Sequence, residues 1–218
     1  MATSVELVTT LLTLGGLVYM LLALWGAREF EHLWRKRFAA RAEGPEYAPD
    51  VTILKPVKGI DAQMYAGLVS HCTQRYAGRF EIVFGVSSAE DLAVVQVKRL
   101  QREFPECAIR LVECTEHLGT SGKVSNLVQM LREASYEHVL INDSDIRVGP
   151  RYLARVMGWF GDAAGTEDER VGMVTAPYRG RTATGGKELT VWSRLEALGI
   201  STDFLPGVLA ARKLEGGI

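Results

Sequence analysis

The stretch Val139–Val148 reads VLINDSDIRV, and it decides how the rest of the chain is interpreted. A run of apolar residues typical of a strand leads directly into Asn142-Asp143-Ser144-Asp145. Asp143 and Asp145 are two residues apart, so in an extended segment their side chains point to the same side. Mg²⁺ or Mn²⁺ between the two carboxylates would relieve their repulsion and leave positions for diphosphate oxygens. The alternative is a polar turn whose carboxylates accept hydrogen bonds from nearby backbone N–H groups.

Strand-like runs alternate with helical patterns around this stretch. The predicted strands are Val51–Leu54, Phe80–Val86, Ile109–Val112, His138–Ile141 and Val171–Thr175. The predicted helices are Asp61–Cys72, Asp91–Phe104, Pro150–Phe160 and Lys123–Ala134, the last with Val124, Leu127, Val128 and Leu131 on one face. This alternation predicts an α/β fold with a doubly wound, mainly parallel sheet and helices on both faces. Ligands of such sheets bind outside the carboxyl ends of the strands.

Charged residues also follow the other predicted strands. The first strand runs into Lys55-Pro56-Val57-Lys58-Gly59, and the second runs into Ser87–Asp91. The loop HLGTSGKVSN (His117–Asn126) places Lys123 at the start of a helix, where an anion is favoured. Lysines at this edge of the sheet can balance phosphates, and Asp91 can accept hydrogen bonds from a base or ribose. Taken singly, each is more often a solvated charge at the end of a strand, and it is their convergence on one edge of the sheet that indicates a site.

Two common nucleotide-binding motifs are excluded. The loop before Lys123 departs from the P-loop pattern G-x-x-x-x-G-K-[ST], because His117 occupies the first glycine position and Val124 follows the lysine. No G-x-G-x-x-G follows the first predicted strand, so a dinucleotide-binding site of the Rossmann type is not expected.

The segment Leu7–Ala27 contains no charged residue. Its roughly 21 residues, at about 1.5 Å each, match the thickness of the hydrocarbon core of a bilayer. A cleaved signal peptide is the alternative, but only Glu6 precedes the apolar run, where a signal peptide carries positive charge. Lys and Arg occur only after the span, so the N-terminus is predicted outside and the following domain in the cytoplasm. Glu29–Arg41 either lies along the membrane surface or simply extends the helix.

The composition is that of an ordinary globular chain apart from this segment. The 218 residues include 25 basic and 26 acidic side chains, which gives a net charge of −1. This balance argues against a nucleic-acid-binding protein, which usually has a basic surplus. Three cysteines without a C-x-x-C pair predict neither a disulfide framework nor a zinc site.

Four blocks together resemble the ceramide glucosyltransferase family, which comprises inverting glycosyltransferases of the GT-A fold. They are VTILKPVKGID (Val51–Asp61), Asp91, the G-x-x-G-K-V-S-N-L block (Gly119–Leu127) and NDSDIRV (Asn142–Val148). The resemblance covers essentially the whole chain, including the N-terminal membrane helix. It implies a metal held by Asp143 and Asp145. The nucleotide-sugar-binding residues expected from the resemblance and the strand ends are Lys55, Pro56, Lys58, Asp91, Lys123, Asn126, Asp143, Ser144 and Asp145.

The implied reaction transfers a hexose from a UDP-sugar to a lipid hydroxyl in the membrane, with Mg²⁺ or Mn²⁺ as cofactor. Bacterial relatives that glycosylate hopanoids are an alternative to ceramide. The family's third aspartate, its general base, and its (Q/R)-x-x-R-W block lie beyond the matched region, and no Arg-Trp pair occurs in the chain. The expectation is therefore an incomplete member of the family, and a non-catalytic nucleotide-sugar-binding membrane protein is the third interpretation.

These interpretations predict three parts of the chain: a membrane helix with its juxtamembrane segment (1–43), a linker (44–50) and an incomplete GT-A-like domain (51–218). Within the last part, Trp192–Phe204 is predicted either as an element that faces the acceptor or the membrane, or as an amphipathic helix packed on the sheet.

Overall fold

The computed structural model describes residues 2–40, 47–61, 63–161, 171–180, 182 and 190–215. Two compact units form, one from Glu46–Gly172 and the other from Met1–Pro45 with Met173–Ile218. Residues 44–46 of the predicted linker lie outside the described residues, and the predicted division into three parts stays a prediction. In chain order the elements are α1 (Ala2–Ala40), β1 (Val51–Pro56), α2 (Met64–Cys72), β2 (Phe80–Val86), α3 (Ala93–Glu103), β3 (Ala108–Glu113), α4 (Gly122–Arg132), β4 (His138–Ile141), α5 (Tyr152–Met157), α6 (Val191–Gly199) and α7 (Leu205–Glu215).

The Glu46–Gly172 unit is built on a four-stranded parallel sheet of order β3-β2-β1-β4. β1 is the strand through which the two halves of the sheet meet, since Leu54 pairs with Val83 of β2 on one side and with Ile141 of β4 on the other. The apolar runs that predicted β1 and β2 are buried between layers of helices, as central parallel strands require, whereas the edge strands β3 and β4 are only partly buried. The predicted fold class, a parallel α/β sheet of the GT-A type preceded by a long apolar helix, is confirmed.

Helices cover both faces of this sheet. On one face, alternate strand residues such as Ile53, Ile82 and Phe84 pack with side chains from α2, α3 and α5 in one apolar core. On the other face, Leu54 and Val83 pack with side chains from α4 in a smaller core. Because successive side chains of a strand point to opposite faces, each strand contributes to both cores. The sheet is therefore fixed from both sides, and its carboxyl edge is a rigid base for loops.

The predicted strand Val171–Thr175 is wrong, because these residues form no strand. β-rich sequence becomes a strand only where a neighbouring strand supplies ladder hydrogen bonds. In the described part of the chain, the sheet contains β1 to β4 alone, and residues 171–175 pair with none of them.

The predicted membrane segment lies within α1. Residues Thr3–Lys36 form the one described helix that is long and apolar enough to cross a bilayer, and its most apolar window is almost entirely unburied. The Thr9, Thr10 and Thr13 hydroxyls donate hydrogen bonds of 2.7–2.8 Å to carbonyl oxygens one turn earlier. These bonds satisfy within the helix the polar groups for which lipid offers no partner.

α1 packs against α7 in the second unit. Small residues allow the close approach, since Ala23 and Ala210 are buried and a side chain at Gly26 would meet the backbone oxygen of Leu209. Helical structure is confirmed for the predicted element Trp192–Phe204, which falls on α6 and on a π-helical turn, Ile200–Phe204. It belongs to the unit that contains α1.

A buried carboxylate ties the strands together near their amino-terminal ends. Glu81, only 5% exposed, accepts hydrogen bonds from the Thr52 hydroxyl, the Ser135 N–H and hydroxyl, and the Arg110 guanidinium, all between 2.8 and 3.2 Å. Burial acts to raise the pKa of Glu81, but these hydrogen bonds and the charge of Arg110 hold it below its ordinary value. The ionised carboxylate therefore stabilises the fold.

We predict that Glu81→Gln lowers the free energy of unfolding by about 1–3 kcal/mol near neutral pH, because it removes a charged acceptor from buried donors. The folded-state pKa of Glu81 is lowered, so its contribution is present above the unfolded pKa of about 4.3 and is lost as the pH falls through the folded value. Urea unfolding of the detergent-solubilised chain as a function of pH measures this difference. Glu116→Gln, which alters an exposed pair with Arg132, is the control. A Glu81→Gln deficit that is the same at about pH 3 as at neutral pH would contradict the prediction.

Candidate functional site at the carboxyl edge of the sheet

The strand order brings two loops together at the carboxyl edge of the sheet. All pairings are parallel, so β1 and β4 end side by side, at Pro56 and Ile141. β1 is also the strand at which the chain reverses its direction across the sheet, since β2 and β3 lie on one side and β4 on the other. Such a reversal is the place where ligands bind in open α/β sheets.

The loop after β4 exposes two carboxylates. Asp143 and Asp145 are exposed. Asn142, which precedes them, and Ser144, which lies between them, are partly buried. The loop is not extended as predicted, because the Ile146 N–H donates to the Asp143 backbone oxygen at 3.3 Å and closes a turn over Ser144 and Asp145. The turn forms because the backbone N–H and C=O groups of this segment no longer have hydrogen-bond partners in the sheet and bond to each other instead.

Lys123 of α4 reaches the first of these carboxylates. Its Nζ lies 2.5 Å from Asp143 Oδ1, and both side chains are about half exposed, at 53% and 51%. α4 begins at Gly122, where the Ser121 hydroxyl caps the helix by accepting from the Val124 N–H. The structure thus brings together two of the predicted site residues from distant parts of the chain.

Lys55 lies beneath the same loop. It is the last residue but one of β1, its side chain is fully buried, and its Nζ donates a hydrogen bond of 2.7 Å to the backbone oxygen of Asp143. Burial lowers the pKa of Lys55 to about 7, against the opposing effect of the negative charges of Asp143 and Asp145. Lys55 therefore contacts the loop backbone, whereas Lys58 is exposed at the surface and Pro56 is partly buried.

Asp91 joins the loops after β1 and β2. Its Oδ1 accepts from the Gly59 N–H at 2.7 Å and from the Ala93 N–H at the start of α3 at 2.8 Å. Gly59 has a φ of 64°, in the left-handed region that glycine adopts without strain. Asp91 thereby fixes the course of the Lys55–Gly59 loop as well as the start of a helix.

α4 turns a polar face inward, whereas its predicted apolar face is largely exposed. Val124, Val128 and Leu131 are 40–57% exposed. Gln129 and Ser125 are buried because they bond the loop before α4: Gln129 Nε2 donates to the Glu116 oxygen, and Ser125 Oγ accepts from the Leu118 N–H. The loop offers backbone groups to this side of α4, so polar partners are required there.

Asn126 belongs to this buried face of α4. It is 8% exposed, and its Nδ2 donates to the Ser87 hydroxyl at 3.1 Å. This contact connects α4 to the end of β2. Of the nine predicted site residues, Asn126 and Lys55 are buried, and the structure leaves their roles as ligands untested.

The sequence analysis missed a set of polar residues on α2. His71 is fully buried, and its Nε2 accepts from Asn142 Nδ2 at 3.0 Å while Nδ1 faces the Gly67 oxygen at 2.9 Å. Burial and the nearby charge of Lys55 lower the pKa of His71 to about 3, so the ring is neutral and donates from Nδ1. The available signal was spacing: Gly67, Ser70, His71 and Gln74 recur at helical intervals on one face.

The donor set fits a cation that arrives with a diphosphate. The described residues contain no group of three or more His, Cys, Asp or Glu side chains that could enclose a metal ion. One turn carries two exposed carboxylates, and one of them pairs with a half-exposed lysine. Two carboxylates occupy only part of the coordination shell of a cation and leave the other positions to other ligands. Mg²⁺ and Mn²⁺ bound through one or two carboxylates and substrate phosphates have this arrangement.

Comparison with curated proteins identifies relatives of the chain. A ceramide glucosyltransferase 1 of Caenorhabditis elegans is 33% identical over 114 residues, which cover 52% of this chain and 24% of the relative. A ceramide glucosyltransferase of Komagataella phaffii is 32% identical over 142 residues, covering 63% of this chain and 27% of the relative. The chain thus spans about a quarter of the length of these relatives.

Among solved structures, a mannosyltransferase from Pyrobaculum calidifontis in complex with GDP-Man and Mn²⁺ is similar. It shares 27% sequence identity and a TM-score of 0.46, and the match covers 66% of this chain and 45% of that one. A wider match comes from the family comparison, in which residues 8–218 correspond to Glycosyl transferase family 21. With the match extending from the apolar helix to the last residue, the chain belongs to glycosyl transferase family 21.

Proposed function

We propose that the chain binds a UDP-sugar and Mg²⁺ or Mn²⁺ at the carboxyl edge of its sheet, as the donor part of a membrane glycosyltransferase. The observation that carries the proposal is the exposed Asp143–Asp145 turn at the strand-order reversal, with Lys123 paired to its first carboxylate. Asp143 and Asp145 would hold the cation. Lys58 and Lys123 are the exposed cations that we assign to the diphosphate, and Asp91 is assigned to the nucleoside.

The proposed reaction is attack by a lipid hydroxyl on the anomeric carbon of the UDP-sugar, with inversion and loss of UDP. The bound cation would supply neutralisation of charge on the departing diphosphate. Lys123 would add a positive charge at the same place, because the ammonium that pairs with Asp143 is within reach of oxygens bound there. We assign no general base to the residues of this chain.

The relatives' names support ceramide as the acceptor and glucose as the sugar. α1 fits this role, because a membrane helix keeps the site close to an acceptor that lies in the bilayer. The basic residues that follow the span favour a cytoplasmic position for the sheet unit. A hopanoid acceptor and a chain that binds donor without transferring sugar are the alternatives.

We predict that Asp143→Asn abolishes the Mn²⁺-dependent binding of UDP-glucose, because the amide keeps the shape of the carboxylate but removes its charge. Isothermal titration calorimetry with the detergent-solubilised chain measures this affinity. Asp50→Asn is the matched control, since Asp50 forms a 2.5 Å pair with Arg79 at the start of β1, outside the site. Equal affinity in Asp143→Asn and the wild type would contradict the proposed site.

Lys123→Met is predicted to change two affinities in opposite directions. Affinity for Mn²⁺ alone should rise by up to about fivefold, because the methionine no longer competes for Asp143 and exposed pairs contribute about 0–1 kcal/mol. Affinity for UDP in the presence of Mn²⁺ should fall, since a positive charge near the diphosphate is lost. Electron paramagnetic resonance of free Mn²⁺ and calorimetry with UDP measure the two. A fall in both affinities would contradict the assignment of Lys123.

Turnover distinguishes the enzymatic proposal from the non-catalytic alternative. With labelled UDP-glucose or UDP-N-acetylglucosamine and ceramide- or hopanoid-containing membranes, transfer to lipid supports an active transferase and identifies both substrates. Donor binding without transfer supports a chain that only binds the nucleotide sugar. Asp143→Asn is the control for transfer that does not depend on the site.

A further inference from the structure

We propose that Lys55 and one face of α2 hold the backbone of the Asp143–Asp145 loop in the position in which its carboxylates bind a cation, and that Lys55, Gly67, Ser70 and His71 are positioning residues. This inference rests on the proposed function. None of these side chains is assigned contact with the cation. They are buried, and they contact the loop backbone, the Asn142 side chain or one another.

The first contact comes from the sheet. Lys55 Nζ donates to the backbone oxygen of Asp143 at 2.7 Å, and the same oxygen accepts from the Ile146 N–H that closes the turn. A buried strand thus fixes the backbone of a residue whose carboxylate is exposed. A lysine is suited to this contact, because its long side chain spans from the strand to the loop above it.

The second contact is a close approach of α2. A Cβ at Gly67 would lie 3.0 Å from the Ser144 oxygen and 3.2 Å from the Ile146 oxygen. Those distances are shorter than an ordinary van der Waals contact between carbon and oxygen. The turn therefore lies directly on the α2 backbone, and a side chain at position 67 would displace it by a few tenths of an ångström.

The remaining contacts hold both ends of the loop. At the start, Asn142 Nδ2 donates to His71 Nε2 at 3.0 Å, and the neutral His71 ring is itself fixed by the Gly67 oxygen. At the end, the Val148 N–H donates to Ser70 Oγ at 3.1 Å. Further along, Gln74 Nε2 donates to the Gly149 oxygen at 2.9 Å.

A loop held at both ends and at its turn cannot easily change the direction of its carboxylates. Side chains behind metal ligands commonly alter metal affinity without touching the metal, because they fix the geometry of the ligands. The four positioning residues lie on elements far apart in sequence from the loop, yet they contact nearly every residue from Asn142 to Val148. The arrangement is pre-organised before any ligand binds.

The test uses Lys55→Met and Gly67→Ala, with Glu81→Gln as a control that loses buried hydrogen bonds at the other end of the strands. We expect faster amide hydrogen exchange in residues 142–149 of both variants, with unchanged exchange in β2 and β3. Affinity for Mn²⁺ with UDP should fall by about tenfold to a hundredfold. Lys55→Met removes a buried charge, so its melting temperature should be retained. Glu81→Gln should lower the melting temperature and leave both site readouts unchanged.

Unchanged exchange in residues 142–149 of Lys55→Met and Gly67→Ala would overturn the inference, because the loop would not depend on these contacts. Faster exchange with wild-type affinity would also overturn it, since the contacts would then hold the loop without positioning the carboxylates. Failure of the wild type to bind Mn²⁺ and UDP would overturn the proposed function, and the exchange measurement would still decide whether these residues hold the loop.

Discussion

The contact from Lys55 Nζ to the backbone oxygen of Asp143 links a buried central strand of the sheet to an exposed acidic loop. It forms because β1 and β4 are parallel neighbours whose carboxyl ends lie side by side. A buried amine is costly unless its hydrogen bonds are satisfied. The Lys55 amine donates its hydrogen bond to a carbonyl oxygen, and the negative charges of Asp143 and Asp145 favour its protonated form. The same two carboxylates are the groups that a cation site needs. The geometry of the site therefore depends on this contact.

The carboxylates at the two ends of the sheet differ in burial: Glu81 at the amino-terminal end is buried, whereas Asp143 and Asp145 at the carboxyl end are exposed. Near the amino-terminal ends, Glu81 of β2 accepts hydrogen bonds from the two neighbouring strands and a loop, and its charge stabilises the fold. At the carboxyl end, Asp143 and Asp145 remain exposed, and Asp143 pairs with Lys123, whose side chain is about half exposed. A charge that is buried and paired resists exchange of its partner, whereas an exposed pair contributes little and is readily replaced. Ligand binding is thus expected at one end of the strands only.

The fold followed from the sequence more completely than the site did. Phe80–Val86 was predicted with its observed bounds, since a short apolar run between turn residues has few other interpretations. The inward face of α4 could not be predicted, because Ser125 and Gln129 are buried to satisfy a loop whose course depends on tertiary structure. Lys55 was expected to balance a phosphate at the edge of the sheet, but its burial beneath the Asp143 loop depends on tertiary contacts that the sequence does not show. Val171–Thr175 has strand-like composition, but in the described part of the chain no strand pairs with it.

The most direct test of the account is the position of Mn²⁺ in crystals of the chain grown with Mn²⁺ and UDP, located by its anomalous scattering. The account predicts one strong peak within about 2.0–2.3 Å of carboxylate oxygens of Asp143 and Asp145 and of the diphosphate, with Lys123 no longer paired to Asp143. Manganese bound elsewhere, or nucleotide bound while the Lys123–Asp143 pair persists, would contradict it.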